Sequence, residues 1–204
     1  GENLPGIIHD YFLDVTGADK PAASHRRKKG IYYTPDCVAQ FITKRTVGQA
    51  LDASLEKLVI LADNVDAAGF IDEWTKTASI RILDPACGWG VFLLYAAELM
   101  DRFYVQSALA ADNLKRSITQ KAAGHKTEVH SGLSQKKDNI ITNLDRIIKI
   151  GANPKKQILS HNIYGYDIDA TAAGIAGNLL QKKSSCVDVG KSPVCDDSFE
   201  NLFG

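Results

Sequence analysis

The sequence predicts an α/β protein: a doubly wound parallel sheet preceded by a helical N-terminal segment. Three observations carry this. From residue 78 onward, short apolar strand candidates alternate with amphipathic helix candidates, the pattern of a parallel sheet wrapped by helices. The first strand candidate runs into a turn with two close glycines, Leu83-Asp-Pro-Ala-Cys-Gly-Trp-Gly-Val-Phe-Leu93. The second ends in an acid, Asp167, just before a helix of small residues. The organisation that follows is a helical segment over residues 1–77 and an α/β domain over residues 78–204.

Bulk composition sets the frame. A chain of 204 residues, 45% hydrophobic and 24% charged, is long enough for one sizeable core. Lys+Arg 24 balances Asp+Glu 24, so net charge favours no partner class. The apolar runs are too short for a membrane span, and no signal peptide is expected. Cys37, Cys87, Cys186 and Cys195 form no Cys-x-x-Cys pair, which predicts reduced thiols in a cytoplasmic protein.

Taken in order, residues 1–30 read as a lead-in, with a short helix near Gly6–Leu13 and a polar, basic loop from Pro21 to Lys29. Thr34-Pro35-Asp36 is a helix start: a capping hydroxyl, proline at the first helical position, then an acid at the positive dipole end. Val38, Phe41, Ile42, Leu51, Leu55, Leu58 and Val59 recur at helical spacing, with a break near Gly48. Phe70–Thr77 is a further helical piece. Ser79–Leu83 reads as the first strand, and Val91 to about Asn113 as a long helix. Lys115–Lys137 shows no period and reads as a polar excursion. Asp138 caps a helix carrying Ile140, Ile141, Leu144, Ile147 and Ile148, closed by Gly151. His161–Asp167 is the second strand, Ala170–Gln181 a small-residue helix, and Ser192–Cys195 a third strand ending in Asp196 and Asp197.

Parallel sheets bind ligands at the carboxyl ends of their strands. Asp84, Asp167 and Asp197 or Asp196 fall there. Gly88 and Gly90 let backbone approach a ligand with no side chain between. An acid ending the second strand suits a ribose diol, because a carboxylate accepts from both hydroxyls. Together they describe a pocket for a nucleoside with an amine-bearing tail. A dinucleotide site would want Gly-x-Gly-x-x-Gly for a pyrophosphate. Here Asp84 would repel a diphosphate, and Leu93 replaces the third glycine. An acid at that turn suits an ammonium, and S-adenosylmethionine carries one, with a ribose, an adenine and no phosphate.

Four stretches resemble, in order, the motifs of one family. Asp84-Pro-Ala-Cys-Gly-Trp-Gly90-Val-Phe-Leu resembles the first motif of DNA adenine methyltransferases that modify the exocyclic amine. These belong to restriction–modification systems, both type I and the kind fusing methylase and nuclease. Gly30-Ile-Tyr-Tyr-Thr-Pro35 resembles the motif that precedes it in the circularly permuted order. Tyr164-Gly-Tyr-Asp-Ile-Asp169 and Val194-Cys-Asp-Asp-Ser-Phe199 resemble the second and third motifs. The resemblance covers roughly residues 26–204. It implies the Rossmann-like class I methyltransferase fold, incomplete here, with S-adenosylmethionine as cofactor.

The same resemblance implies residue roles. Tyr33, Thr34 and Pro35 would lie against the methionine end of the cofactor. Asp84 would meet the ammonium, directly or through water, on a turn shared with Pro85 and Ala86. Gly88 and Gly90 would give backbone access. Asp167 would accept the ribose hydroxyls and Ile168 would pack on the adenine. Asp197 would accept from the adenine amine, with Phe199 nearby and Asp196 as the rival acid. Double-stranded DNA is the implied partner, through the full-length protein, with a specificity or nuclease domain or subunit. Two departures stand out. Trp89 occupies a position where the family usually has serine, and the Asn- or Asp-Pro-Pro-Tyr/Phe loop that holds the flipped base is absent. No catalytic residue is therefore assigned, and the chain is expected to be the front part of a larger enzyme, inactive alone. The alternatives are a non-catalytic S-adenosylmethionine-binding module and a glutamine methyltransferase. The run His25-Arg-Arg-Lys-Lys29 could touch DNA phosphates but reads first as a solvated loop. His125, His130 and His161 lack metal-ligand spacing.

Overall fold

The structure, a computed structural model, describes residues 34–123 and 131–183. In chain order it contains α1 (Asp36–Thr43), a π-helical turn (Lys44–Gly48), α2 (Gln49–Asp63), α3 (Ala67–Ala78), β1 (Ile82–Asp84), α4 (Val91–Ala123), α5 (Ser131–Ala152), α6 (Lys155–His161), β2 (Ile163–Gly165) and α7 (Ala170–Lys183).

The predicted doubly wound sheet is not there. The described residues are 80% helical, with a single parallel pair of strands among them, which is not a Rossmann-like fold. The pair runs in register Ile82↔Ile163, Leu83↔Tyr164 and Asp84↔Gly165. Each strand has three residues. A wide parallel sheet needs strands covered by helices on both faces. β2 meets that demand with Ile163 and Gly165 buried, but β1 leaves Leu83 45% exposed. The apolar material sits in the helices instead. The predicted third strand, Ser192–Cys195, lies outside the described residues.

The core forms around α4. Its inner face carries Leu93, Met100, Phe103, Tyr104, Ala111 and Leu114, all essentially buried, against Phe70 and Trp74 of α3, Leu51 and Leu58 of α2, and Leu144 of α5. Tyr104 joins three elements. Its ring meets Trp74 at 6.0 Å and Phe103 at 5.4 Å, both edge-on. Its hydroxyl donates to Asn162 Oδ1 at 2.9 Å. Asn162, fully buried just before β2, donates in turn to the carbonyls of Ala78 (3.0 Å) and Ile80 (2.7 Å). This clamp satisfies the carbonyls that α3 leaves open and aims the chain into β1. Burial pushes the Tyr104 hydroxyl up to about 12.

Several elements differ from expectation for visible reasons. α4 continues past Asn113, because Leu114 stays buried and Ile118 packs on the core. Lys115 also reaches Asp145 of α5 at 2.5 Å. α5 starts at Ser131 rather than Asp138, so most of the supposed excursion is helix. Gly151 does not close α5. It lies inside it, where an added Cβ would come within 2.6 Å of the Tyr104 carbonyl oxygen, so glycine permits the close α4–α5 crossing. The second strand begins at Ile163, and α6 occupies the residues before it. Val38, Phe41 and Ile42 do not face the core; they are exposed, and Ala39 and Thr43 are buried in their place. α1 begins at Asp36 with Pro35 as its cap residue, one position later than predicted. The break near Gly48 is a π turn within helical backbone, eased by the Thr43 and Thr46 hydroxyls, which donate to the carbonyls of Ala39 (2.7 Å) and Ile42 (2.9 Å).

Between α2 and α3 the chain turns through Val65, a β-branched residue with φ 58°. The Asp66 amide donates to Leu61 O (2.9 Å) and the Val65 amide to Ala62 O (3.0 Å), the pair of bonds that ends a helix with a left-handed residue. Asp66 then caps α3 by accepting from the Gly69 amide at 2.9 Å.

Candidate functional site

The predicted turn forms at the carboxyl ends of both strands. Asp84 ends β1, and its Oδ1 accepts from the Ala86 amide at 3.1 Å, folding Pro85 over it. The Cys87 amide donates to the Tyr166 carbonyl at 2.8 Å and the Tyr166 amide to the Asp84 carbonyl at 2.9 Å, extending the pairing past the strands. Cys87 is buried against Gly165, so its thiol is a packing group and not an exposed nucleophile. The Gly90 amide then donates to the Cys87 carbonyl at 2.7 Å, closing a tight turn with Gly88 and Trp89 at its corners. Gly88 (φ 52°) and Gly90 (φ 81°) both take left-handed backbone. The Gly90 carbonyl accepts from Leu94 at 2.8 Å, the first bond of α4.

The two glycines serve different needs. A Cβ on Gly90 would come within 2.8 Å of the Ala176 methyl of α7. That glycine is needed for close packing. A Cβ on Gly88 would meet nothing within 4 Å. The space over Gly88 is open to a ligand.

Asp167 reaches this space. Its Oδ2 accepts from the Gly88 amide at 2.7 Å and its Oδ1 from the Asp169 amide at 2.9 Å. It does not cap α7. Asp169 does, accepting from the Thr171 amide at 2.9 Å. Each Asp167 oxygen keeps a second lone pair, and the amides fix where those point. Burial raises the Asp84 carboxyl above the usual range; the Ala86 amide opposes this and the nearby Asp167 charge adds to it. Two carboxylates and an open glycine thus share one edge of the strand pair. Ile168, beside them, is fully exposed.

Thr34 and Pro35 lie at the same end of the molecule. α1 packs on α4, and the Tyr95 hydroxyl in the first turn of α4 is pushed up by burial and then by the charges of Asp36, Glu98 and Cys37. The start of α1 therefore lies near the N-terminal part of α4, the helix that the glycine turn leads into. Tyr33, Asp197, its rival Asp196, and Phe199 lie outside the described residues. Sequence reading missed Asp169, although an acid directly before Ala170-Thr171 is an ordinary helix-cap signal. It also missed Asn162 and Tyr95, which carry no local pattern and act through tertiary packing.

A cavity of about 550 Å³ lies elsewhere, between α4, α6 and α7, lined by Leu94, Asp101, Lys155 and Leu180 among others. A cavity of that size is an ordinary candidate for a ligand site. The turn is preferred because its polar groups converge on open space. Among the described residues no three His, Cys, Asp or Glu side chains form a metal cluster, and no helix is long and apolar enough to cross a membrane. Comparison of the chain with protein families, curated proteins and solved structures finds no match.

Proposed function

We propose that the strand-end turn binds S-adenosylmethionine and that the chain is the cofactor-binding part of a DNA methyltransferase acting on the exocyclic amine of adenine. One observation carries the cofactor reading. Parallel pairing of β1 and β2 brings Asp84, the open face of Gly88 and Asp167 to one edge, with the Gly88 amide on the Asp167 carboxylate. This needs two strands, not a wound sheet. The donor set fits the group. Asp84 offers a carboxylate to the ammonium, Asp167 offers fixed lone pairs to the ribose diol, and the bare Gly88 leaves room between them. Thr34 and Pro35, at the head of α1, would flank the methionine end, and Ile168 would cover the adenine.

S-adenosylmethionine supplies a methyl group on a sulfonium that leaves readily. The chain's own residues bind and orient it, which is most of what in-line transfer asks of a protein. The DNA part of the reading rests on the order of the four motifs, from Tyr33-Thr34-Pro35 to Asp197. The 204 residues contain no Pro-Pro pair, so no base-holding loop of the resembled kind is in this chain. That same observation favours the second reading, a cofactor-binding module without chemistry of its own.

Calorimetry with S-adenosylmethionine, S-adenosylhomocysteine and NAD tests the cofactor reading. Binding of the first two and not the third is expected; preference for NAD would overturn it. Labelled methyl transfer to mixed-sequence DNA tests the second step. Residues 1–204 alone should bind cofactor and leave duplex DNA unlabelled. Robust labelling would mean that catalytic groups inside the chain have gone unrecognised.

A further inference from the structure

We propose that the outward face of α5 binds the phosphate backbone of duplex DNA. α5 supplies no residue of the strand-end turn, so nothing here rests on the cofactor reading. The helix buries one side: Leu144, Ile147 and Gly151 are inside, and Gly151 lies against Tyr104 of α4. At about 100° per residue, Gln135, Asn139, Thr142, Arg146 and Lys149 fall within about 80° of one another, on the side opposite Leu144. All are exposed, over about 21 Å of helix axis. Lys136, also exposed, flanks the stripe.

The stripe carries cations, amides and a hydroxyl, and no acid. Asp138 and Asp145 border it on one side. Asp145 stands one turn before Lys149, where an i,i+4 partner would be, yet its carboxylate goes to Lys115 of α4 at 2.5 Å. Asp138 lies about 16 Å from Lys149 along the axis. Among the described residues Arg146 and Lys149, one turn apart on the same face, therefore form no ion pair. The neighbouring α4 differs: Arg102, Lys115 and Arg116 each hold a carboxylate. Adjacent cations without an acid repel one another and attract an anion. The chain as a whole has no net charge, so the attraction is a local property of this face.

The rest of the stripe says which anion. Phosphate oxygens accept from amide and hydroxyl side chains as well as from Arg and Lys. No residue of α5 is aromatic, so unpaired bases would find no stacking platform, which disfavours single strands. No residue of the stripe is apolar, which disfavours a membrane surface or an amphipathic partner helix. A regular helix fits the major groove of B-form DNA, about 12 Å wide, whereas the major groove of duplex RNA is too deep and narrow.

The experiment is fluorescence anisotropy of a labelled, mixed-sequence DNA duplex titrated with the full chain, without cofactor, at several salt concentrations. Wild type should bind, and more weakly as salt rises. Arg146→Gln with Lys149→Gln should weaken binding roughly ten- to fiftyfold near 0.1 M salt. It should also reduce the slope of log affinity against log salt by about 1.8, two phosphates at about 0.9 each. Arg146→Lys with Lys149→Arg keeps both charges and should keep the slope. Lys76→Gln with Arg81→Gln removes the same charge from exposed positions elsewhere and should change the slope by less than about 0.5. Unchanged binding in the Arg146→Gln, Lys149→Gln protein would overturn the proposal and give the phosphates to another cationic stretch, such as Arg26–Lys29. Equal losses in the two glutamine pairs would overturn it too, because net charge and not one face would then be felt. So would tighter binding of duplex RNA or of single-stranded DNA, or a wild type that binds no duplex DNA. None of these outcomes bears on calorimetry with S-adenosylmethionine, so the two readings fail separately.

Discussion

The helical body and the strand-end turn handle buried polarity in opposite ways. In the body, among the described residues, the buried side-chain polar atoms all find a partner. Asn162 bonds to Tyr104, Ala78 and Ile80, and the Trp74 indole donates to Ser107 at 3.0 Å. At the turn, Asp84 and Asp167 are held by backbone amides through part of their capacity, beside an open glycine and an exposed Ile168. A satisfied network specifies packing; a partly used one is available to a ligand. The first region should respond to mutation in stability, the second in binding.

The largest expected effect lies in the body. Asn162→Ala removes a partner from the Ala78 and Ile80 carbonyls and from the Tyr104 hydroxyl in a fully buried place, where the hydroxyl keeps a long 3.4 Å bond to Ala78 O. It should cost about 2–4 kcal/mol, read as a lower urea midpoint. A loss under about 1 kcal/mol would mean water reaches the clamp.

Next comes Asp167→Ala, which tests the other half. It should weaken S-adenosylmethionine by about 1.5–3 kcal/mol, since charge-assisted bonds to two hydroxyls are lost. Its unfolding midpoint should move little, because the freed Gly88 amide lies beside open space. A stability loss matching that of Asn162→Ala would erase the contrast between the regions.

Asp84 sharpens the comparison through pH. Its native carboxyl titrates above the unfolded value, chiefly because burial penalises the charge. Between the two values the native state holds more protons, so this group's contribution to stability is present in acid and is lost as pH rises through the native value. Binding runs the other way, since the ammonium needs the carboxylate. Affinity should therefore fall, on acidification, at a higher pH than an ordinary aspartate would give, and Asp84→Asn should flatten both profiles. Isotherms between about pH 4 and pH 7 would show it. Opposite slopes for folding and binding are the signature of a group retained for a ligand.

The smallest effect is expected at Val65. Relief of left-handed strain by Val65→Gly is worth about 1–2 kcal/mol, and loss of a half-buried side chain with added chain entropy opposes it by a similar amount. A thermal midpoint within a few degrees of wild type is the outcome; a large drop would show that the valine side chain, not the backbone, holds the α2–α3 corner.

The turn was legible because its chemistry is local. Glycines that need left-handed backbone, an acid ending a strand and a helix starting at Val91 all sit within a few residues of each other. The sheet was not, because strand count is a tertiary property. Ile82–Asp84 and Ile163–Gly165 look the same whether two strands or seven lie beside them. Lys115–Lys121 reads as irregular because its helix is held by Leu114, Ile118 and the distant Asp145 rather than by its own period. Gly151 misled because a glycine that stops a helix and one that admits a neighbouring backbone are the same letter; only Tyr104 distinguishes them. Thr34 and Pro35 were read as the start of a helix one position too early, with Pro35 and not Thr34 at the cap, and their place near the head of α4 required the packing of α1 on α4.

The π turn at Lys44–Gly48 acts as a phase shift. Along α1 and α2 the buried positions step from Ala39 to Thr43 by four residues, from Thr43 to Gly48 by five, then on to Leu51, Leu58 and Ala62. One inserted residue turns everything before it by about 100° around the helix axis relative to an uninterrupted α-helix. With Gly48 at the contact, α4 comes close enough for Leu99 to lie 3.5 Å from where a Cβ would stand. Delete one residue from that turn and α2 could keep its seat, while α1 would rotate by more than a quarter of a circle. Thr34 and Pro35 would swing away from their present setting beside α4, and the stripe Val38, Phe41 and Ile42 would turn toward the places of Ala39 and Thr43. The angular setting of one half of the proposed pocket is thus encoded ten residues downstream of it, in a turn that touches no ligand.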